Sequence, residues 1–323
     1  MEKKVIRINF LDFPKSFDVE TCLFVRILRK HFDVQITQDA DYVFYSVFGE
    51  QHWGVPDTCV KIFFTGENLV PDFNACDFAM GFDYIDYEDR YLRVPLYLLY
   101  GRDVLEKMET KHIFPKDWDL SIEKPDFCSF VVSNPINEAR NAAFETLSKY
   151  KRVDSGGRCF NNVGRAVPDK VAFESSHKFS LCYENGMHNG YTTEKLIQAF
   201  AARTVPIYRG DPMVTRVFNP DAFINVPDYE SFDGVIQRVK ELDTNEELYL
   251  KMLRTPAMMP SAPTIEQQLM AIEDWLVDIF DRPLEQSYRR NREFHGRKYI
   301  TSRQSLRVRD SIKKTLLSLV GRN

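Results

Sequence analysis

The sequence predicts an α/β protein made of two Rossmann-like halves, and three observations carry that prediction. Short β-branched and aromatic runs alternate with helical periods up to about residue 84, and a second such set covers about residues 127–226. A charged, proline-bearing passage at residues 111–125 separates the sets and reads as a linker or hinge. Beyond the second set only helical periods remain, among them "TIEQQLMAIEDWLVDIF" at residues 264–280.

In the first half, "VIRINF", "VQIT", "YVFYSVFG", "VKIFFTG" and "FAMGFDY" read as strands, and "VETCLFVRILRKHF" at residues 19–32 as the helix after the first of them. In the second, "FCSFVVSN", "RVDSGG", "FSLCYE", "VPIYRG" and "AFINV" read as strands, with helices over residues 137–150 and 192–204. The predicted division is residues 1–120, residues 121–288 and a helical tail at 289–323.

A chain of 323 residues with 44% hydrophobic and 28% charged content is a soluble, globular one. The six cysteines show no CxxC or zinc spacing and mostly sit in apolar runs, so they read as reduced core thiols in a cytoplasmic compartment. The N-terminal apolar run is too short, and too interrupted by Arg7 and Asp12, for a signal peptide or membrane anchor. Charge is uneven. Eleven Lys or Arg against two acids fall within residues 289–323, leaving about −13 on the remainder of a chain whose net charge is −4. In that tail Leu306, Val308, Ile312, Leu316, Leu317 and Val320 recur at roughly helical spacing. A basic amphipathic helix that touches an anionic membrane and a packed or solvated helix both fit the pattern. An acidic body and a tail without interleaved aromatics argue against nucleic acid.

Function is expected in the loops at the carboxyl ends of the strands. No GxGxxG, GKS/T P-loop, HExxH or GxSxG occurs, which weakens the dinucleotide, NTPase, metalloprotease and hydrolase readings. In "VKIFFTGEN" a strand delivers Glu67 to its carboxyl end, as a general base or as a plain turn residue. In "VVSNPINEAR" a helix starts near Asn137, and Arg140 lies one turn in, where a guanidinium suits phosphate oxygens. In "SLCYENGMHNGYTTEKLIQAF" a buried strand ends at a Glu184-Asn185-Gly186 turn, and Tyr191, Glu194 and Lys195 fall in the first turn of the next helix. A lysine at that positive end of the helix dipole calls for an anion. His188 reads as a solvated loop residue, and "HWGVPD" at residues 52–57 as either packing or a sugar-stacking surface.

At these residues the chain resembles the α-1,3/4-fucosyltransferases, glycosyltransferase family 10. The family signature of an aromatic-Glu-Asn turn, then Y-x-T-E-K, then V-P-[IV]-Y-x-G, matches "YENGMHNGYTTEKLIQAFAARTVPIYRGDP". Further support comes from "TGEN", "GFD", "RYLRVPL" and "FVVSNP" followed by Arg140, so the resemblance spans roughly residues 60–212. Gly186 stands where many members have Ser, and the cysteine pairs and N-terminal anchor of the animal enzymes are missing, which implies a soluble bacterial type. The resemblance implies a GT-B fold, two Rossmann-like domains facing across a cleft with C-terminal helices. It implies an inverting enzyme that moves L-fucose from GDP-β-L-fucose to N-acetylglucosamine, or glucose, in a type 1 or type 2 galactosyl-N-acetylglucosamine acceptor, forming an α-1,3 or α-1,4 bond. Glu67 would be the general base; Arg140, Asn185, Tyr191, Glu194 and Lys195 would bind the donor. With those cations and no DxD at the nucleotide loops, no cofactor is expected to be required, and stimulation by Mn2+ or Mg2+ is left open. The expected location is cytoplasmic, with peripheral contact at the inner membrane through the tail. A sugar-nucleotide- or glycan-binding protein on the same scaffold, without catalysis, is the alternative.

Overall fold

The computed structural model describes residues 2–320, with side chains through Arg309. Two α/β units emerge: residues 1–81, 85–94 and 268–323 form the first, and residues 82–84 and 95–267 the second.

The first unit opens with β1 (Val5–Leu11), α1 (Leu23–His31), β2 (Asp33–Ile36), β3 (Tyr42–Tyr45), β4 (Val60–Phe64), β5 (Phe78–Gly81) and β6 (Tyr91–Arg93). The strands pair in parallel in the order β2-β1-β3-β4-β5-β6. Every residue of β3, β4 and β5 is buried, as expected of central parallel strands covered on both faces. Helix α1 buries Phe24, Val25, Ile27 and Leu28. It starts later than its sequence period suggests because the Asp18 carboxylate accepts from Glu20 N at 3.0 Å and Thr21 Oγ1 at 2.7 Å, holding a turn there.

The second unit holds α2 (Arg102–Glu109), α3 (Leu120–Glu123), β7 (Asp126–Phe130), α4 (Glu138–Ser148), β8 (Val153–Ser155), α5 (Lys170–Ser175), β9 (His177–Tyr183), α6 (Glu194–Ala201), β10 (Val205–Arg209), β11 (Ile224–Asn225), α7 (Phe232–Thr244) and α8 (Glu246–Arg254). Its sheet is also parallel, in the order β11-β10-β9-β7-β8. Phe127, Phe130, Phe144, Phe179, Leu181 and Tyr249 lie in its core.

The passage at residues 111–125 is not a free linker. The buried ammonium of Lys111 donates to Leu253 O at 2.9 Å, and that of Lys124 donates to Ser175 O at 2.5 Å and Ala202 O at 2.9 Å, closing the carboxyl ends of α5 and α6. Burial pushes both lysines down to about 7. The passage is thereby built into the second unit, and the division falls near residue 94 rather than residue 120.

The chain then returns to the first unit through α9 (Ile265–Asp281) and α10 (Phe294–Val320). Residues 289–292, read from the sequence as the start of a basic tail, are anchored there. The fully buried Asp77 carboxylate accepts from Arg290 Nε at 3.1 Å, from Arg292 Nη1 at 2.6 Å and from the backbone N–H groups of Lys61, Arg289 and Arg290. Burial pushes Asp77 up, but these arginines and N–H donors outweigh it and leave the pKa below the ordinary value. Arg289, helped by Arg282, likewise brings Asp89 down to about 2. Part of the tail's positive charge is therefore neutralised by ion pairs. The side chains of Ile312, Leu316, Leu317 and Val320 in the predicted amphipathic stripe lie outside the described residues.

Five of the cysteines are buried, Cys22 is partly so, and all six are free, as the sequence suggested. No described helix is long and apolar enough to cross a membrane.

Asp77→Ala strips two arginine side chains and three backbone N–H groups of their acceptor, and should lower the stability of the first unit by about 3–5 kcal/mol in urea denaturation. Asp89, whose pKa is depressed on folding, contributes stability that is fully present above its unfolded value near ~4. That contribution is lost as the pH falls toward about 2. An Asp89→Asn variant should show a shallower acid dependence of its urea midpoint between those limits.

Candidate active site

In the second sheet the chain runs from β7 to β8 on one side and on to β9 on the other, so the topological switch point lies between β7 and β9. The loops that follow these two strands hold the predicted donor-side residues.

After β7, Asn137 caps α4: its Oδ1 accepts from Arg140 N at 3.1 Å while its Nδ2 donates to Glu184 O at 3.0 Å. One side chain thus joins the two loops. Arg140 is 2% exposed, donates from Nη1 to Asn185 Oδ1 at 3.3 Å and from Nη2 to Asn134 O, and its buried Nε has no partner among the described residues. No carboxylate among those residues pairs with it. Burial pushes its pKa down. A buried cation with only neutral partners favours an anion beside it.

After β9, the first residue is the most consequential. Glu184 is 1% exposed, and its Oε1 accepts from Thr193 N at 2.8 Å while Oε2 accepts from Thr193 Oγ1 at 2.6 Å and Lys195 Nζ at 3.0 Å. The carboxylate serves as the cap of α6 from across the loop, since Thr193 at the cap position makes no side-chain cap bond of its own. Gly210 makes room for it: a Cβ there would come within 2.4 Å of Glu184 Cγ. Gly190, at φ +84°, lets the loop turn back, and its N–H donates to Asp211 Oδ1 at 2.7 Å.

Lys195 also donates to Glu194 Oε1 at 3.1 Å. The anion that the sequence reading demanded for this lysine is thus supplied by the protein's own Glu184 and Glu194. Burial pushes Lys195 down, but the two carboxylates outweigh it and raise its pKa. For Glu194, burial pushes up, while Lys195, Lys170 and hydrogen bonds with Tyr100 and Thr193 outweigh it and bring the pKa to about 2. Tyr191 is not in the first turn, because α6 begins at Glu194. It is buried, with its ring 5.0 Å from that of Phe82 in an edge-on contact. His188 is held more firmly than a solvated loop residue, with Nε2 2.5 Å from Asp83 Oδ1.

Structure thus brings Arg140 to Asn185, and Lys195 to Glu194, through Glu184 and Asn137, neither of which the sequence reading selected as a site residue. A cap donated from nine positions upstream has no local signature, and only the aromatic-Glu-Asn turn marked the place. A cavity of about 380 Å³ opens beside these strand ends, lined by Ala139, Ala143, Tyr183, Arg209 and Tyr229 among others. Glu67 belongs to the first unit, exposed just beyond β4, where its N–H donates to Thr65 Oγ1 at 3.1 Å and its carbonyl accepts from Leu69 N at 2.7 Å. Among the described residues no group of three His, Cys, Asp or Glu is arranged to hold a metal ion.

Comparison with known proteins gives a consistent picture. Residues 8–100 match the profile of the alpha-(1,3)-fucosyltransferase FucT N-terminal domain, and residues 122–270 that of the glycosyltransferase family 10 (fucosyltransferase) C-terminal region. Alpha-(1,3)-fucosyltransferase FucT of Helicobacter pylori is 39% identical over 220 residues, 60% of this chain and 46% of that protein. 4-galactosyl-N-acetylglucosaminide 3-alpha-L-fucosyltransferase 9 of Homo sapiens is 37% identical over 132 residues, 39% of this chain and 36% of that one. The matches therefore span less than half the length of these curated relatives. A crystal structure of an α1,3-fucosyltransferase superposes with a TM-score of 0.76 at 30% identity, covering 90% of this chain and 93% of that one. One with GDP-fucose superposes at 0.69 and 30% identity, covering 85% and 91%.

Glu184→Ala removes the cap of α6 and leaves Lys195 buried with a single acceptor carboxylate. The second unit should lose about 3 kcal/mol of stability, with Glu184→Gln losing less because an amide oxygen still accepts from Thr193 N. Gly210→Ala, which forces the same carboxylate out of place, should shift the urea midpoint in the same direction.

Proposed function

Because this chain belongs to glycosyltransferase family 10, the fucosyltransferases, and has their GT-B fold, we propose that it transfers L-fucose from GDP-β-L-fucose to a hydroxyl of N-acetylglucosamine, or glucose, in a galactose-containing glycan. The observation that carries this reading is Arg140, a buried guanidinium without a carboxylate partner, in the first turn of α4 at the switch point of the second sheet.

The diphosphate of a sugar nucleotide meets that demand. Arg140 and the N-terminal end of α4 stabilise the charge that grows on the β-phosphate as the anomeric C–O bond breaks. Lys195, raised in pKa and therefore fully charged, exchanges Glu194 for a phosphate oxygen while Glu184 keeps it in place. Glu194 and Asn185 then face donor hydroxyls, and Tyr191 supports the loop from behind through Phe82. In the reaction the acceptor oxygen forms a bond to the anomeric carbon as the bond to the β-phosphate breaks, Glu67 takes the hydroxyl proton, and GDP leaves. A single displacement inverts the β-linked donor to an α-fucoside, with an α-1,3 or α-1,4 linkage. Two cations at the diphosphate supply charge that a metal ion supplies in other transferases, so the reaction is proposed to need none and to be at most stimulated by Mn2+ or Mg2+. Arg297, Lys298, Arg307 and Arg309 on α10 support a cytoplasmic, peripheral position on an anionic membrane.

The test is a radiolabelled GDP-fucose assay with type 1 and type 2 galactosyl-N-acetylglucosamine acceptors, with and without EDTA. Glu67→Gln should lower kcat by about 10²–10⁴-fold with GDP affinity retained. Arg140→Met should weaken GDP binding at least tenfold in calorimetry yet leave the ligand-free melting temperature unchanged or higher, since it removes an uncompensated buried charge. Unaltered GDP affinity in that variant would refute the diphosphate assignment.

A further inference from the structure

The carboxyl edge of the first sheet carries an Asp-His pair that the proposed chemistry leaves unused. Asp12, the residue after β1, is buried with φ +61°, a left-handed conformation that favours glycine and that Asp adopts more readily than most other residues. Its carboxylate accepts from Gln51 N at 2.9 Å, His52 N at 3.0 Å and His52 Nδ1 at 2.6 Å. Burial pushes Asp12 up, but those donors outweigh it, leaving the pKa below the ordinary value and the group ionised. An ionised Asp12 can only accept, so Nδ1 carries a proton, and in the neutral ring this leaves the lone pair on Nε2. The ring is further fixed by stacking on Tyr45, with centroids 4.3 Å apart and planes 17° apart.

Nε2, by contrast, has no hydrogen-bond partner among the described residues and is not one of the atoms sealed from solvent. The neighbouring Trp53 ring packs near Lys61 at 5.9 Å and Tyr299 at 6.4 Å. A tether for the loop needs only the two backbone bonds to Asp12. Fixing the tautomer and the rotamer as well prepares the second nitrogen to accept a hydrogen bond. β1, β3 and β4 are neighbours in the sheet, so Asp12, the His52 loop and Glu67 all follow the carboxyl ends of adjacent strands, which are spaced about 4.8 Å apart.

We propose that His52 is an acceptor-binding residue whose Nε2 accepts a hydrogen bond from a hydroxyl of the acceptor sugar, with Asp12 as the positioning residue that fixes its tautomer. The proposal rests on the transferase reading above and identifies a determinant of acceptor affinity within it.

His52→Asn separates recognition from tethering, because its amide nitrogen overlays Nδ1 and still donates to Asp12 while Nε2 is deleted. With N-acetyllactosamine as acceptor, the Michaelis constant should rise about 3- to 10-fold, the loss expected of one neutral hydrogen bond. GDP affinity and melting temperature should stay at wild-type values and kcat should change less than KM. Asp12→Asn, which releases the tautomer, should move the acceptor KM in the same direction. An acceptor KM at the wild-type value in His52→Asn, whether or not His52→Ala melts earlier, overturns the proposal and leaves a loop tether. Should the wild-type chain transfer no fucose, the functional reading fails by itself, and saturation-transfer NMR with N-acetyllactosamine then decides this one: weaker signals from His52→Asn support it, and equal signals overturn it.

Discussion

The second unit depends on a carboxylate placed where no water reaches it. Glu184 leaves β9 buried, and a buried carboxylate must be satisfied by donors or neutralised. Here the donors are the first free N–H of α6, the Thr193 hydroxyl and the Lys195 ammonium. Helix α6 therefore starts where it does because of a residue on the far side of a loop. That same loop positions Asn185 against Arg140, and its backbone carbonyl receives Asn137 from the cap of α4. Gly210 is required by the same constraint, since any side chain there displaces the carboxylate.

Charge is distributed between Arg140 and Lys195 in opposite ways. Lys195 is surrounded by carboxylates that hold its proton and its position, so it is structurally settled before any ligand arrives. Arg140 has a carbonyl and an amide oxygen but no negative charge, and it carries the electrostatic deficit of the site. The fold tolerates that deficit because the guanidinium is anchored through two of its nitrogens and its delocalised charge is more weakly hydrated than an ammonium. In the first unit the opposite solution appears: Asp77 and Asp89 gather Arg282, Arg289, Arg290 and Arg292, so a stretch that is strongly basic in sequence becomes an internal fastening.

The two buried lysines of the second unit follow the same logic as the arginines. Lys111 and Lys124 carry neutral oxygen partners in place of carboxylates, and burial lowers both toward neutrality of charge near pH 7. Their partners are carbonyls left over at helix ends, which accept a hydrogen bond from either protonation state so long as one N–H remains. A passage rich in charge and proline can thereby be solid structure, and composition gives no warning of it.

By itself the sequence determined the alternation of strands and helices, the two-unit α/β class and the places where functional loops leave the strands, because periodic burial and turn chemistry are local properties. It also marked Arg140, Glu194, Lys195 and Glu67 by residue type at strand ends and helix starts, and Asn185 only through the family resemblance. Only the tertiary structure decided which charges were already neutralised. It gave Lys195 two protein carboxylates, left Arg140 with none, turned Arg289 to Arg292 inward, drew residues 95–125 into the second unit and paired Asp12 with His52. Each of those outcomes depends on groups far apart in the chain meeting inside a low-dielectric interior, where the sign and distance of one neighbour outweigh every local propensity.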